Sequence, residues 1–201
     1  MSEWEQYRDL GAGSMPPGWV LNMLTDVRHF TGKLKVEEAV KWAKHYNETT
    51  GKPLVIFAHH VDVLHALFEG LDDEVALIDG STPMKQRQEY IEQFQNGELY
   101  YLICSTMAMK EGVNLDAADT TLFVEREWVP AWEMQAAARV RRMTQESAVC
   151  HQVILSARDT IDEHFDKVVE AKAEVCARAL SPSNQSVILG TNLAQTILAG
   201  Y

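Results

Sequence analysis

Short, unbroken apolar runs recur along this chain, each set off by stretches of helical spacing. The runs lie in "KPLVIFAHH" (52–60), "EVALIDGS" (74–81), "LYYLICS" (99–105), "TTLFVE" (120–125) and "AVCHQVILSA" (148–157). A run of four or five apolar residues without polar alternation fits a strand buried on both faces. Between them, "VDVLHALFEGL" (61–71), "TPMKQRQEYIEQFQNGE" (82–98) and "PAWEMQAAARVRRM" (130–143) space their apolar residues as helices do, and "DTIDEHFDKVVEAKAEVCARAL" (159–180) follows the last strand. Alternating strands and helices predict an α/β fold, a parallel sheet with helices on both faces. Upstream, "WVLNMLTDVRHF" (19–30) and "KLKVEEAVKWAKHYNETTG" (33–51) read as two helices, with a break at Thr31-Gly32.

Composition narrows the function classes. The formal charge is -11 and the pI near 5.0, which argues against a module that holds nucleic acid by bulk positive charge. Three widely separated cysteines and no CxxC point to reduced thiols rather than a disulfide framework or zinc site. The N-terminal residues lack the basic and apolar regions of a signal peptide, and no apolar run reaches the ~20 residues of a membrane span. A cytoplasmic protein is the default expectation.

In an open parallel sheet, ligands bind beyond the carboxyl ends of the strands. Three segments fall there: "AHH" (58–60), "STMAMKEGVNL" (105–115) and "EREWVP" (125–130), the last leading into the arginine-bearing "QAAARVRRMTQ" (135–145). At about 100° per residue, Arg139 and Arg142 lie about 60° apart on a helix, with Gln135 one turn before Arg139 on the same face. Arginine's rigid fork matches phosphate oxygens. For an arbitrary helix, the plainer account is a solvated basic face balanced by Glu125, Glu127 and Glu133.

The motif order changes that weighting. "KPLVIFAHH", "DGSTPMKQRQEYIEQF", "STMAMKEGVNLDAAD", "EREWVPAWEMQAAARVRRMTQ" and "DTIDEHFDKVVEAK" resemble, in order and spacing, the C-terminal RecA-like lobe of Swi/Snf-related ATPases of helicase superfamily two. The likeness runs from about Lys33 to Val175, and leans toward the annealing-helicase-like branch and its bacterial or phage relatives. It implies a RecA-like lobe over 33–178, a lead-in and linker helix over 1–32, and a tail over 179–201 that carries no charged side chain.

The resemblance also implies a division of labour. ATP and Mg2+ are held mainly by an N-terminal RecA-like lobe, whose GxxxxGK[ST] loop and DExH-type carboxylates this sequence lacks. The chain is thus expected to be a second motor lobe, inactive alone, from a DNA helicase or translocase that works on duplex DNA. Arg139 and Arg142 take the finger positions, and Gln135, Gly112 and Glu111 the nucleotide side. His59, Ser105, Thr106, Lys110, Lys85 and Arg87 are the candidates for the DNA backbone, and Trp128 for packing under the arginine helix. The expected compartment is the cytoplasm of a bacterial or phage-infected cell, or a eukaryotic nucleus. The sequence departs from the family pattern at Ala138 and Thr144, where glycine is usual, at Arg141, where histidine is common, and at Met109-Lys110, where a double glycine is common. The rival expectation is a stand-alone, non-catalytic lobe that docks on or regulates a helicase.

Overall fold

A computed structural model describes residues 17–71, 74–108, 113–140, 147 and 149–180. The chain divides into two compact units. One is Gly32–Ala157, which holds the whole sheet; the other combines chain up to Thr31 with chain from Arg158 onward.

Five parallel strands form the sheet: β1 (Leu54–Ala58), β2 (Val75–Ile78), β3 (Tyr101–Ser105), β4 (Thr120–Phe123) and β5 (His151–Ile154), in the order β2-β3-β1-β4-β5. The expected parallel α/β architecture is therefore present. β1 is central, pairing Phe57 with Cys104 on one side and with Phe123 on the other. Its five residues are all fully buried, as a strand covered on both faces demands.

Alternate side chains of β1 feed two cores. Leu54, Ile56 and Ala58 pack with Ala39, Ala43, Leu64 and Leu67, which come from helices α1 (Pro17–Thr50) and α2 (Val61–Gly70). Val55 and Phe57 pack on the other face with Phe94, Phe123, Ala136 and Val140. Phe94 belongs to α3 (Met84–Gln95), and Ala136 to α4 (Pro130–Ala137). The Phe57 and Phe123 rings stack with centroids 4.9 Å apart.

Two sequence expectations need correction. The break at Thr31-Gly32 does not occur: α1 runs unbroken through both residues. Its buried positions, Leu24, Arg28, Thr31, Lys35, Ala39 and Ala43, recur every three or four residues, so one face continues across the pair. Thr31 turns its hydroxyl back onto the Arg28 carbonyl at 2.9 Å, with Asp162 Oδ1 at 3.0 Å. Glycine suits position 32 because a side chain would not fit: a Cβ there would sit 2.5 Å from Glu125 Oε1. At the other end of the sheet unit, α4 stops at Ala137 rather than continuing to residue 143. Arg139 N and Val140 N bond to the carbonyls of Ala136 and Ala137, three residues back, so the chain tightens into successive turns. The Gln135–Arg139 helical stripe is therefore cut short.

In the smaller unit, α5 (Ile161–Leu180) buries Phe165 and Val169. The Arg28 guanidinium lies 5.2 Å from the Phe165 ring centre, a cation–π contact.

The amino edge of the sheet is pinned by Asp119. Its carboxylate accepts from Tyr46 Oη (3.0 Å), Thr120 Oγ1 (2.8 Å), Ser147 Oγ (3.0 Å) and Lys52 Nζ. Burial pushes this carboxyl up, but the donors from Lys52, Thr120, Ser147 and Tyr46 override it and hold it down to about 2, below its ordinary 3.8. A depressed folded value means stability that is present above the ordinary value and lost as pH falls toward the depressed one. Replacing Asp119 with Asn is expected to cost about 2 kcal/mol at neutral pH and to flatten the loss of stability between about pH 4 and pH 2. Urea denaturation of both proteins across that range measures it.

Candidate functional site

The carboxyl ends of β1, β3 and β4 carry the candidate residues, and the strand pairing decides which of them meet. Ala58 and Ser105 are register partners, and Thr106 N donates to the Ala58 carbonyl at 3.3 Å. His59, Ser105 and Thr106 therefore share one edge. Thr106 is buried, and its hydroxyl finds no hydrogen-bond partner among the described residues.

Across β1 from these lies a set of buried charges. Glu125 and Glu127 are each 1 % exposed, and Glu133 is 3 % exposed. Glu125 Oε2 accepts the backbone amides of His59 and His60, both at 2.9 Å, and Oε1 meets His60 Nδ1 at 2.6 Å. Burial raises the Glu125 carboxyl, but the His60 ring and the His60 and His59 amides outweigh it and hold it below its ordinary value. Glu127 Oε1 meets His59 Nδ1 at 2.9 Å. Glu133, in the first turn of α4, accepts Glu127 N at 2.8 Å and Arg126 Nε and Nη2 at 3.2 and 3.1 Å. Each buried carboxylate is thus met by donors, as buried charge requires.

The nucleotide-side candidates fall around the end of α4. Gln135 is exposed and Arg139 half-buried, in the turn beyond the helix. Leu115 N donates to the Arg139 carbonyl at 2.9 Å, which ties the loop after β3 to that turn. Gln95 of α3 braces the same loop, taking Ala117 N at 2.8 Å and donating to the Asn114 carbonyl (3.2 Å) and to Asp116. Arg142, Lys110, Glu111 and Gly112 lie outside the described residues.

The remaining candidates are placed as follows. Lys85 extends from the first turn of α3 with its side chain 92 % exposed, 3.7 Å from Glu89. Arg87 is committed inward: Nη1 donates to the Ala108 carbonyl at 3.0 Å and Nη2 to the Asp79 carbonyl at 3.3 Å. It thereby clamps the turn after β2 to the loop after β3. Asp79 caps that turn by accepting from Ser81 and Thr82 amides and hydroxyls, and the Ser81 hydroxyl leads in holding its carboxyl below the ordinary value. Trp128 is half-buried.

Residues 34–144 match the model of the helicase conserved C-terminal domain. The chain belongs to that family. This helicase C-terminal domain is 31 % identical over 162 residues to a SWI/SNF-related matrix-associated actin-dependent regulator of chromatin subfamily A-like protein 1 of Xenopus tropicalis, covering 78 % of the chain and 17 % of that protein. It is 34 % identical over 117 residues to a chromodomain-helicase-DNA-binding protein 1-like of Mus musculus, covering 58 % of the chain and 13 % of that protein. It thus spans less than a fifth of the length of either relative. Among solved structures, the C-terminal part of the Fun30 ATPase domain matches with a TM-score of 0.64 at 23 % identity, over 82 % of this chain and 51 % of that one. The fold is RecA-like, and the chain is the C-terminal lobe of the Swi/Snf-related kind.

In the sequence, Glu125, Glu127 and Glu133 read as solvent-side balance for the arginines, and neither His60 nor Arg126 stood out. A signal was present. Two histidines end β1 and "ERE" follows β4, and these strands are neighbours.

The close approach of α1 to Glu125 can be tested. Gly→Ala inside a helix ordinarily stabilises by about 1 kcal/mol. At Gly32 the new Cβ must displace a carboxylate held by both His59 and His60, and a buried group left unsatisfied costs about 1–3 kcal/mol. Gly32→Ala is expected to be net destabilising in urea denaturation; net stabilisation would show that Glu125 yields without loss.

Proposed function

We propose that this domain is the second motor lobe of an ATP-driven DNA helicase or translocase. Arg139 supplies a finger to ATP bound on a separate N-terminal RecA-like lobe, with Arg142 as its companion and Gln135, Gly112 and Glu111 on the nucleotide side. The bond from Leu115 N to the Arg139 carbonyl carries this reading. It mounts the arginine against Leu115, in the chain that follows β3.

Arg139 contributes a fixed, always-charged donor fork. Aimed at the γ-phosphate oxygens, it stabilises charge that builds as the phosphoryl group leaves, an effect of ~10³–10⁵ in rate among NTPases. Bound ATP supplies the phosphoryl chemistry, and Mg2+ neutralises phosphate charge. The magnesium ligands fit the other lobe better than this one, because Glu125, Glu127 and Glu133 are engaged by His59, His60 and Arg126. On the nucleic-acid side, His59 and Ser105 offer uncharged or switchable donors to a duplex backbone, and Lys85 and Lys110 add charge; Thr106, whose hydroxyl is buried, backs that edge from inside. Arg87 serves the same edge by bracing it. The lobe works wherever its DNA lies, the nucleus in a eukaryote.

The charge of -11 favours a second reading, a docking lobe that regulates a partner helicase. One comparison separates the two. The chain alone is expected to show no ATP turnover. Combined with an N-terminal lobe carrying the phosphate-binding loop, it is expected to give DNA-stimulated ATPase that falls by ~10³ or more in Arg139→Ala. Activity that is indifferent to Arg139→Ala rejects the finger and favours the docking lobe.

A further inference from the structure

Three glutamates buried within one edge would be cheaper to replace by apolar side chains than to neutralise, so their connections bear on what the edge does. Glu127 is the junction. Its side chain holds His59 Nδ1, and its backbone amide donates to Glu133 on α4. Helix α4 has eight residues and no side-chain cap at Val129. Its entry is held by Glu133 through Glu127 N and Arg126, and the turn after it by Leu115 N on the Arg139 carbonyl. Arg139 thus lies between two such anchors, with Val140 beside it buried in the core. The first of these leads outward through His59, whose side chain is 33 % exposed.

We propose that Glu127 is a positioning residue that transmits occupancy of His59 by a nucleic-acid phosphate to the Arg139 turn. The proposal rests on the motor-lobe reading above. An imidazole that donates from Nδ1 to Glu127 while neutral has only a lone pair at Nε2, which repels a phosphate oxygen. To bind the phosphate, the ring takes one proton from solvent and donates from both nitrogens. The bond to Glu127 then becomes a charge-assisted pair, shorter and stiffer. It fixes the Glu127 peptide, and with it the amide that Glu133 uses to hold α4. The charged and titratable groups around His59 suit this role. The His60 ring stands edge-on with centroids 4.9 Å apart, and Glu125 accepts the amides of both histidines. Behind Glu127, Glu133 is paired to Arg126.

The test uses the two-lobe assembly with a blunt duplex of mixed sequence. Glu127→Gln is expected to lower the ratio of DNA-stimulated to DNA-free kcat at least ~10-fold. Arg139→Ala, in contrast, lowers kcat with and without DNA. If Glu127→Gln stimulates like the parent, or loses kcat equally without DNA, the residue merely packs and the proposal fails. If Arg139→Ala is also silent, it is the motor reading that fails. A second variant reads the path from its outer end. His59→Gln, which keeps a donor for Glu127 but presents no cation to a phosphate, is expected to lose DNA stimulation of kcat by a similar factor; stimulation like the parent's overturns the proposal.

Discussion

Glu125 brings a carboxylate into the interior of the sheet's carboxyl edge, where it accepts two consecutive backbone amides and one imidazole. The rest of the edge depends on that arrangement. The two amides belong to the turn between β1 and α2, so the carboxylate sets where His59 points. His59 in turn meets Glu127, and Glu127 meets Glu133 on α4. Helix α1 accommodates the carboxylate by presenting Gly32 to it. Elements far apart in sequence thus converge on one buried charge, which holds its proton weakly because donors outweigh burial.

The sheet has a corresponding anchor at its opposite edge. Asp119 gathers Tyr46 from α1, Lys52 from the lead-in to β1, Thr120 from β4 and Ser147. Both anchors are carboxylates beside β4, one at each end, and both are satisfied by donors from neighbouring segments. Between them β1 and β4 are wholly buried. The interior is apolar, while the ends are fixed by directional bonds. The carboxyl edge is thus braced where the loops of the candidate site leave the sheet.

Much of the fold was legible because buried parallel strands leave an unmistakable pattern. "LVIFA" between its turn signals reads as a covered strand, and β3 and β4 beside it repeat the theme, whereas β5 is exposed to half-buried. The helix boundaries were less legible where tertiary contact overrode local preference. Thr31-Gly32 looks like a break until Glu125 is seen against the glycine. The end of α4 at Ala137 is equally hidden, since "AAARVRR" is helix-friendly throughout. For the site, the sequence put His59, Ser105 and Thr106 on a common edge, and it placed Arg139 inside a helix that in fact ends two residues earlier, at Ala137. It did not distinguish glutamates that face water from glutamates that hold the edge together. That distinction depends on burial, which charge spacing alone does not encode. Arg87 illustrates the same gap: a cation near a helix start reads as a phosphate contact, whereas its guanidinium spans two backbone carbonyls.

The bond between Leu115 N and the Arg139 carbonyl joins peptide to peptide. Such a link is indifferent to the side chains at either end. The bond that locates residue 139 against the loop after β3 is therefore made of backbone atoms alone. In engineering terms the position is a socket: the backbone sets the location, and the side chain alone sets the tool.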